Sequence, residues 1–263
     1  MDLFKQNLAP IPTEAWDEIN ERASEVIKSF LTARKVISVT GPLGLEKEAL
    51  STGRVNLIKD NNNVKAGLYE VKPLLETRIS FTLDRWELDN LLRGAEDVDL
   101  EALEKAAEEL ALFEEETIYN GNKEAGIEGL TEKAAHKISS TKEANDILQK
   151  VAEGILKLQD AYTDGPYYLV VSDEAYKVLS QVHGGKLLRE LVKNLIGGEI
   201  IRSKVIKGAL LLPYNHPDLN ITLGQDYQVG YSEHSSKEVK LFIMNSFTTR
   251  ILDKNLIVYY NFK

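Results

Sequence analysis

Apolar residues early in the chain follow a helical period. Trp16, Ala23, Ile27, Phe30 and Leu31 fall on one broad face at about 100° per residue. Upstream, Pro10 and Pro12 stop the preceding arm. Thr13 stands at the N-cap, and Glu14 and Asp17 suit the positive end of the helix dipole. Arg34 lies on the same face, so the apolar stripe ends in a cation. Two readings fit it: a core-facing helix whose arginine snorkels to water, or one side of a groove for a peptide or partner segment. A short strand at Val36-Ile37-Ser38-Val39 follows, then turn residues Gly41-Pro42-Leu43-Gly44. Next the period changes to two. Arg54-Val55-Asn56-Leu57-Ile58 alternates, Asp60-Asn61-Asn62-Asn63 forms a turn, and Val64 to Val71 returns as a second strand. Two strands alone are marginal in water, so this polar-tipped arm predicts pairing with another chain.

Asp84-Arg85-Trp86-Glu87 reads as a capping box opening a short helix, with Leu88, Leu91 and Leu92 on its apolar side. Trp86 points nearly the opposite way, beside Asp89, Asn90 and Arg93. An indole of roughly 150–250 Å² is covered by another part of the fold or another subunit, or it serves as a stacking platform for a planar ligand. The longest helix runs from Leu100 to about Tyr119, capped by Asp99 and stopped by Gly121. Leu100, Leu103, Ala107, Leu110 and Ile118 give it helical spacing. Glu114, Glu115 and Glu116 diverge around that helix and cannot converge on one metal, so a solvated or interface face is expected for them.

Ser140-Thr141-Lys142-Glu143 is another capping box, before the stripe Ile147, Leu148, Val151, Ile155 and Leu158. Asp164-Gly165-Pro166 turns the chain into a buried strand at Tyr168-Leu169-Val170-Val171. Two short helices follow, separated by a flexible loop at His183-Gly184-Gly185, and Gly197-Gly198 ends the second. With strands at Ile200-Ile201, Ala209 to Leu212 and Leu219 to Leu223, this makes an α+β unit inserted between the long helix and the tail. The tail, Val239 to Phe262, carries separate strands at Leu241-Phe242-Ile243, Arg250-Ile251-Leu252 and Leu256 to Tyr260.

Composition narrows the class. The 263 residues are 43% hydrophobic and 28% charged, the balance of a globular protein, and no run approaches the ~20 apolar residues that span a bilayer. The start lacks the basic-then-apolar run of a signal peptide, so a cytosolic protein is expected. The absence of cysteine removes disulfides, thiolate nucleophiles, cysteine-based zinc sites and iron–sulfur ligation. A formal charge of −9 disfavours nucleic acid or an anionic membrane as the main partner. No P-loop, dinucleotide fingerprint or GxSxG elbow occurs. His136, His183, His216 and His234 lack metal-ligand spacing. No catalytic residue and no metal site is assigned, and an enzyme is not expected.

What stands out is an architecture: a helix, an extended arm, a spine-like helix, an inserted unit and a strand-rich return. Arms that cannot stand alone are how shell subunits hold one another. Several segments, in order, resemble the encapsulins, the linocin-type nanocompartment shell proteins with the HK97 phage capsid fold. They are Leu8-Ala9-Pro10 before the Trp16 helix, Ala33-Arg34-Lys35 leading to Gly41-Pro42-Leu43-Gly44, and Phe81-Thr82-Leu83-Asp84-Arg85-Trp86-Glu87-Leu88-Asp89-Asn90. Phe113-Glu114-Glu115-Glu116, Gly126-Ile127-Glu128-Gly129-Leu130, Gly165-Pro166-Tyr167 and Leu223-Gly224-Gln225-Asp226 complete the set.

The resemblance covers the chain end to end and implies an α+β, HK97-like capsid subunit. Its P-domain would comprise 1–47 with a cargo-facing helix, 77–133 with the spine helix, and the C-terminal strands of 220–263. The E-loop would be 48–76 and the axial A-domain 134–219. It also implies self-assembly into an icosahedral homo-oligomer of the smallest, T=1 type. The shell would be cytoplasmic and enclose cargo enzymes such as a ferritin-like protein or a dye-decolourising peroxidase, with roles in iron storage and oxidative stress.

By the same resemblance, the cargo's C-terminal targeting peptide docks on Ile27, Leu31, Arg34, Ser38 and Val229. The loop Gln181, Val182, His183, Gly184, Gly185 and Lys186 would line a pore for ions or small molecules, which the acidic balance would bias toward cations. Trp86 and Arg78 would hold a flavin, FMN or riboflavin-like, on the shell. The alternatives are a phage or prophage major capsid protein and a soluble flavin-binding enzyme.

Overall fold

In the computed structural model, residues 3–61 and 64–262 are described. Helix α1 (Thr13–Phe30) opens the fold with Pro12 at its N-cap and Thr13 already helical. It ends sooner than its periodicity suggests: Leu31 turns out with ψ near 92°, and Arg34 rides on a separate 3-10 turn, Ala33–Lys35. Strand β1 (Ser38–Thr40) leads to the arm, β2 (Ala49–Asn61) and β3 (Val64–Pro73), which pair antiparallel with each other. The turn expected at Asp60 to Asn63 lies partly outside the described residues, at Asn62 and Asn63.

Strand β4 (Leu75–Asp84) continues from the arm into α2 (Arg85–Leu92), where Asp84 Oδ1 accepts from the Trp86 N–H at 2.7 Å. Leu88 is buried there, but Leu92 is exposed, because the helix packs through a narrower face than three leucines suggest. Helix α3 (Glu101–Asn120) is the spine, with Asp99 Oδ1 accepting from the Glu101 N–H and Gly121 at positive φ closing it. A short helix α4 (Leu130–Lys133), strand β5 (His136–Ser140) and α5 (Ala144–Asp160) follow. The start of α5 is anchored by Asp146, which accepts from the Thr141 N–H at 2.6 Å, rather than by the expected Ser140–Glu143 box.

The chain proceeds through β6 (Tyr167–Val171), α6 (Asp173–Leu179), the two-residue strands β7 (Val182–His183) and β8 (Lys186–Leu187), and α7 (Leu188–Ile196). It closes with β9 (Ile200–Arg202), β10 (Ala209–Pro213), β11 (Leu219–Leu223), β12 (Gln228–His234), β13 (Glu238–Ile251) and β14 (Val258–Phe262).

Two sheets organise these elements. In the first, β13 is the spine strand: β4 pairs with its residues 238–247, β12 with 239–244 and β11 with 247–251, while β1 adds parallel to β11. Helices α1 and α3 cover this sheet through Ile19, Leu103, Leu241 and Ile243. In the second sheet the order is β5-β14-β10-β6-β9, packed against α5, α6 and α7 through Ile147, Val192, Leu211 and Val258. A third cluster, including Ile37, Ile118, Leu210, Ile221 and Phe247, joins the two. Each such fully buried side chain contributes about 1.5–3 kcal/mol.

The expected segment 220–263 therefore divides between sheets. Strand β11, begun at Leu219, belongs with β1 and β13, whereas β14 completes the sheet of the inserted unit. The tail also holds one 14-residue strand, β13, where two shorter ones were expected.

Candidate functional site

The most built concavity is a groove of about 500 Å³ between α1 and the start of β12. Its first wall is the α1 face carrying Ala23, Ser24, Ile27 and Lys28, continued by Leu31, Arg34 and Lys35. The opposite wall is Asp226 to Val229, over Ile243 of β13. Helical spacing puts Ala23, Ile27 and Leu31 in line, and the sheet register brings Val229 opposite Ile243. Four of the five residues carried over for a docked peptide, Ile27, Leu31, Arg34 and Val229, line this one groove. The fifth does not: Ser38 lies on β1, where its backbone carbonyl and hydroxyl face the Asn220 amide.

Arg34 does not snorkel to water. Its Nε and Nη2 donate to the two carboxylate oxygens of Glu114 at 2.6 and 2.8 Å, and Nη1 donates to Asp226 at 2.7 Å. Its guanidinium also lies 5.1 Å from the Tyr227 ring centroid. Burial alone would lower its pKa, but Glu114 and Asp226 together raise it, so the cation is permanent. Lys28 and Lys35, by contrast, sit exposed at the rim.

The carboxylates beneath correct the expected solvated face. Glu114 and Glu115 are each about 1% exposed, and of the three only Glu116 faces solvent. Glu114 also accepts from the Tyr227 hydroxyl at 2.8 Å and the Asn245 amide at 2.7 Å, which satisfies a charge that would otherwise be costly to bury. Glu115 accepts from the Thr32 hydroxyl and from the Ala33 N–H at 2.9 Å, and burial pushes its carboxyl up to about 7. Sequence reasoning missed this pair, yet the signal was present. Leu103, Ala107, Leu110, Glu114 and Ile118 share a spacing of three and four, so Glu114 sits inside the apolar stripe of α3.

Val182 to Leu187 form a hairpin where a flexible loop was expected, with Gln181 just ahead of it. His183 pairs with Lys186 across Gly184 and Gly185, whose φ angles of 59° and 81° match a two-residue turn of the type glycine favours. Val182 is exposed, and the hairpin carries the cation Lys186 and no carboxylate. The overall acidity therefore does not extend to this tip.

Trp86 is 68% exposed, with the Arg93 guanidinium 4.9 Å from its ring centroid. Arg78 instead lies over Phe242 at 4.4 Å and donates to the Met244 sulfur. The two residues are separated by β4 from Arg78 to Asp84, about 20 Å of extended backbone. Within one subunit each of the two has its own partner, Arg93 beside Trp86 and Phe242 beneath Arg78. Among the described residues, no three His, Cys, Asp or Glu side chains group as a metal site, and no helix is long and apolar enough to cross a membrane.

Comparison with known proteins places this geometry. A virus-like particle from Pyrococcus furiosus superposes with a TM-score of 0.71 at 17% identity, over 95% of this chain and 100% of that one. The capsid of Myoviridae phage XM1 follows at 0.61 and 11%, over 89% and 92%. The subunit therefore has the HK97-like capsid fold, with mixed helices and sheets.

A family model described as "Encapsulating protein for peroxidase" matches residues 1–248. The type 1 encapsulin shell protein of Mycolicibacterium paratuberculosis is 34% identical over 252 residues, 94% of this chain and 95% of that protein. That of Rhodococcus erythropolis is 31% identical over 263 residues, 98% and 99%. The chain belongs to the encapsulin shell proteins.

Proposed function

We propose that this subunit assembles into a closed icosahedral nanocompartment of the T=1 type in the cytoplasm and retains cargo by binding its C-terminal targeting peptide in the α1–β12 groove. The observation that carries the reading is the convergence of Ile27, Leu31, Arg34 and Val229 on one concavity with an apolar floor. An extended or helical peptide docks by inserting apolar anchors into such a floor, while polar rim groups fix its register. The chain itself performs no catalysis in this reading. Chemistry belongs to the cargo, a ferritin-like protein or a peroxidase, with iron storage or defence against oxidative stress as the outcome.

The Val182–Leu187 hairpin is the candidate pore lining, and symmetry-related copies of Lys186 there favour small anions over cations. A flavin would stack on the exposed indole of Trp86, with Arg78 as the candidate cationic partner. The likeness to phage capsids at 11% identity concerns the fold, whereas the relatives above 30% identity are nanocompartment shells, which favours this reading over a viral capsid.

The test is co-expression with a fluorescent protein bearing the C-terminal segment of the ferritin-like protein or peroxidase encoded beside the shell. Electron microscopy and native mass spectrometry are expected to show one homogeneous particle containing fluorescence. Ser24→Trp, which fills the groove from its α1 wall, is expected to cut loading at least tenfold while particles still form. A stable monomer at working concentration overturns the shell reading, and undiminished loading of Ser24→Trp overturns the groove.

A further inference from the structure

Neither Glu114 nor Glu115 lines the groove, yet each holds a part of it. Glu114 is bonded to Arg34 on one wall, to Tyr227 on the other and to Asn245 of β13 below. Asn245 is fixed in turn by the Thr77 hydroxyl of β4. Glu115, the next residue on α3, holds the chain where it leaves α1: its carboxylate takes the Thr32 hydroxyl and the Ala33 N–H, the bonds that orient the turn carrying Arg34. Two adjacent side chains pointing to different sides of one helix thus anchor both walls to a common support.

Because Arg34 gives three of its donors to Glu114 and Asp226, it is committed to the walls before any ligand arrives. We propose that Glu114 and Glu115 are the positioning residues of the groove, a two-carboxylate clasp on α3 that sets its width and presents Arg34. The peptide-binding consequence rests on the docking reading above; the clasp itself does not.

A clasp built on Glu115 is sensitive to protonation. The charged carboxylate accepts two charge-assisted hydrogen bonds, whereas the neutral acid keeps only weaker neutral ones, with the Thr32 hydroxyl turned from donor to acceptor. The groups facing Glu115 are few. Glu114 and Tyr119 stand on its own helix, Tyr119 bonding the Thr32 hydroxyl at 3.0 Å. Tyr227 comes from the opposite wall, and Arg34 lies beyond Ala33, already paired with Glu114. None offers Glu115 a direct counter-charge, and burial places its titration near neutrality. The turn is therefore held at pH 8 and loosened at pH 6.

The cysteine-free sequence makes a direct test simple. Spin labels at Ser24→Cys and Gln228→Cys face each other across the groove, and the labelled chain is diluted with unlabelled subunits in assembled shells so that only intrasubunit pairs are read. The expected result is a single narrow distance distribution at pH 8 that broadens at pH 6. Glu115→Gln is expected to give one distribution at both pH values, and Glu115→Ala to be broad at both. Glu114→Gln, which keeps shape but loses charge, is expected to broaden the distribution at either pH.

Capture of the fluorescent cargo fusion is expected to fall about fivefold between pH 8 and 6 in the parent shell, the scale of one hydrogen bond, and to stay flat in Glu115→Gln. Distances unchanged by pH in the parent and by every substitution overturn the clasp, even if Glu114→Gln folds poorly, because the parent and Glu115→Gln measurements remain. A clasp that behaves as expected alongside unaffected capture overturns only the docking role.

Discussion

The groove and the β2–β3 arm both present apolar side chains near charged ones, but they are completed differently. In the groove, the charges below the surface find partners inside the same chain, Arg34 with Glu114 and Asp226, and Glu115 with Thr32 and Ala33. In the arm, Leu57, Leu68, Tyr69 and Val71 all stand exposed on a two-stranded hairpin. A lone hairpin is marginal in water, and a row of exposed apolar groups on it marks an interaction surface. The groove is thus completed within one subunit, whereas the arm, though paired with itself, leaves an apolar surface that the described residues of its own chain do not cover.

Breaking the arm is the severest test of that contrast. Leu57→Asp together with Tyr69→Glu alters two side chains 78% and 79% exposed, so subunit stability should move by no more than about 0.5 kcal/mol. Closed particles should be lost all the same, as read by native mass spectrometry and electron microscopy beside a denaturant melt. Normal particles from this variant would place the subunit contacts elsewhere.

Arg34→Met acts on the other side of the comparison. It leaves Glu114 buried with only neutral partners and should cost about 3–5 kcal/mol in guanidinium unfolding, much of it recovered when Glu114→Met is added.

A smaller effect follows from Glu115. Its folded pKa of about 7 lies above the ordinary carboxylate value, so the protonated acid favours the fold. That contribution is complete below about pH 4.5 and is lost as pH rises through about 7. The parent should therefore lose about 2 kcal/mol relative to Glu115→Gln between pH 5 and 8. Charging this group costs the whole fold something even as it tightens the local turn. The mildest change is Gly185→Ala, where the positive φ should cost about 1 kcal/mol in the same unfolding experiment, with the arm and the groove untouched.

Most of the helices and the arm were legible because their apolar periods are clean: α1, α3, α5 and the alternating β2 lie close to where the spacing put them. Strand β13 was not, and the reason is chemical. Asn245, Ser246, Thr248 and Thr249 interrupt its apolar run and read as a break, but Asn245 is spent on Glu114 and the Ser246 hydroxyl accepts from the Gln225 N–H. Polar residues that are buried because they are paired look, in a string of letters, like surface.

The same blindness hid Glu114 and Glu115. Arg34 was noticed as the cation closing an apolar stripe, but its partner lies 80 positions away on another helix, and no local pattern supplies that distance. The first wall of the groove could be read from helical spacing; the second, Asp226 to Val229, required the sheet.

Strand β14 has a consequence for biosynthesis. It sits between β5, with which it runs parallel, and β10, so those two strands never touch each other directly. Both emerge from the ribosome well before Val258 does, and until then the second sheet lacks an inner strand. A nascent or prematurely released chain ending ahead of residue 258 would carry a split sheet with two open edges, prone to capture by chaperones or proteases. Only chains translated through β14 can finish the second sheet, so the topology ties the order of this half of the molecule to completion of the chain.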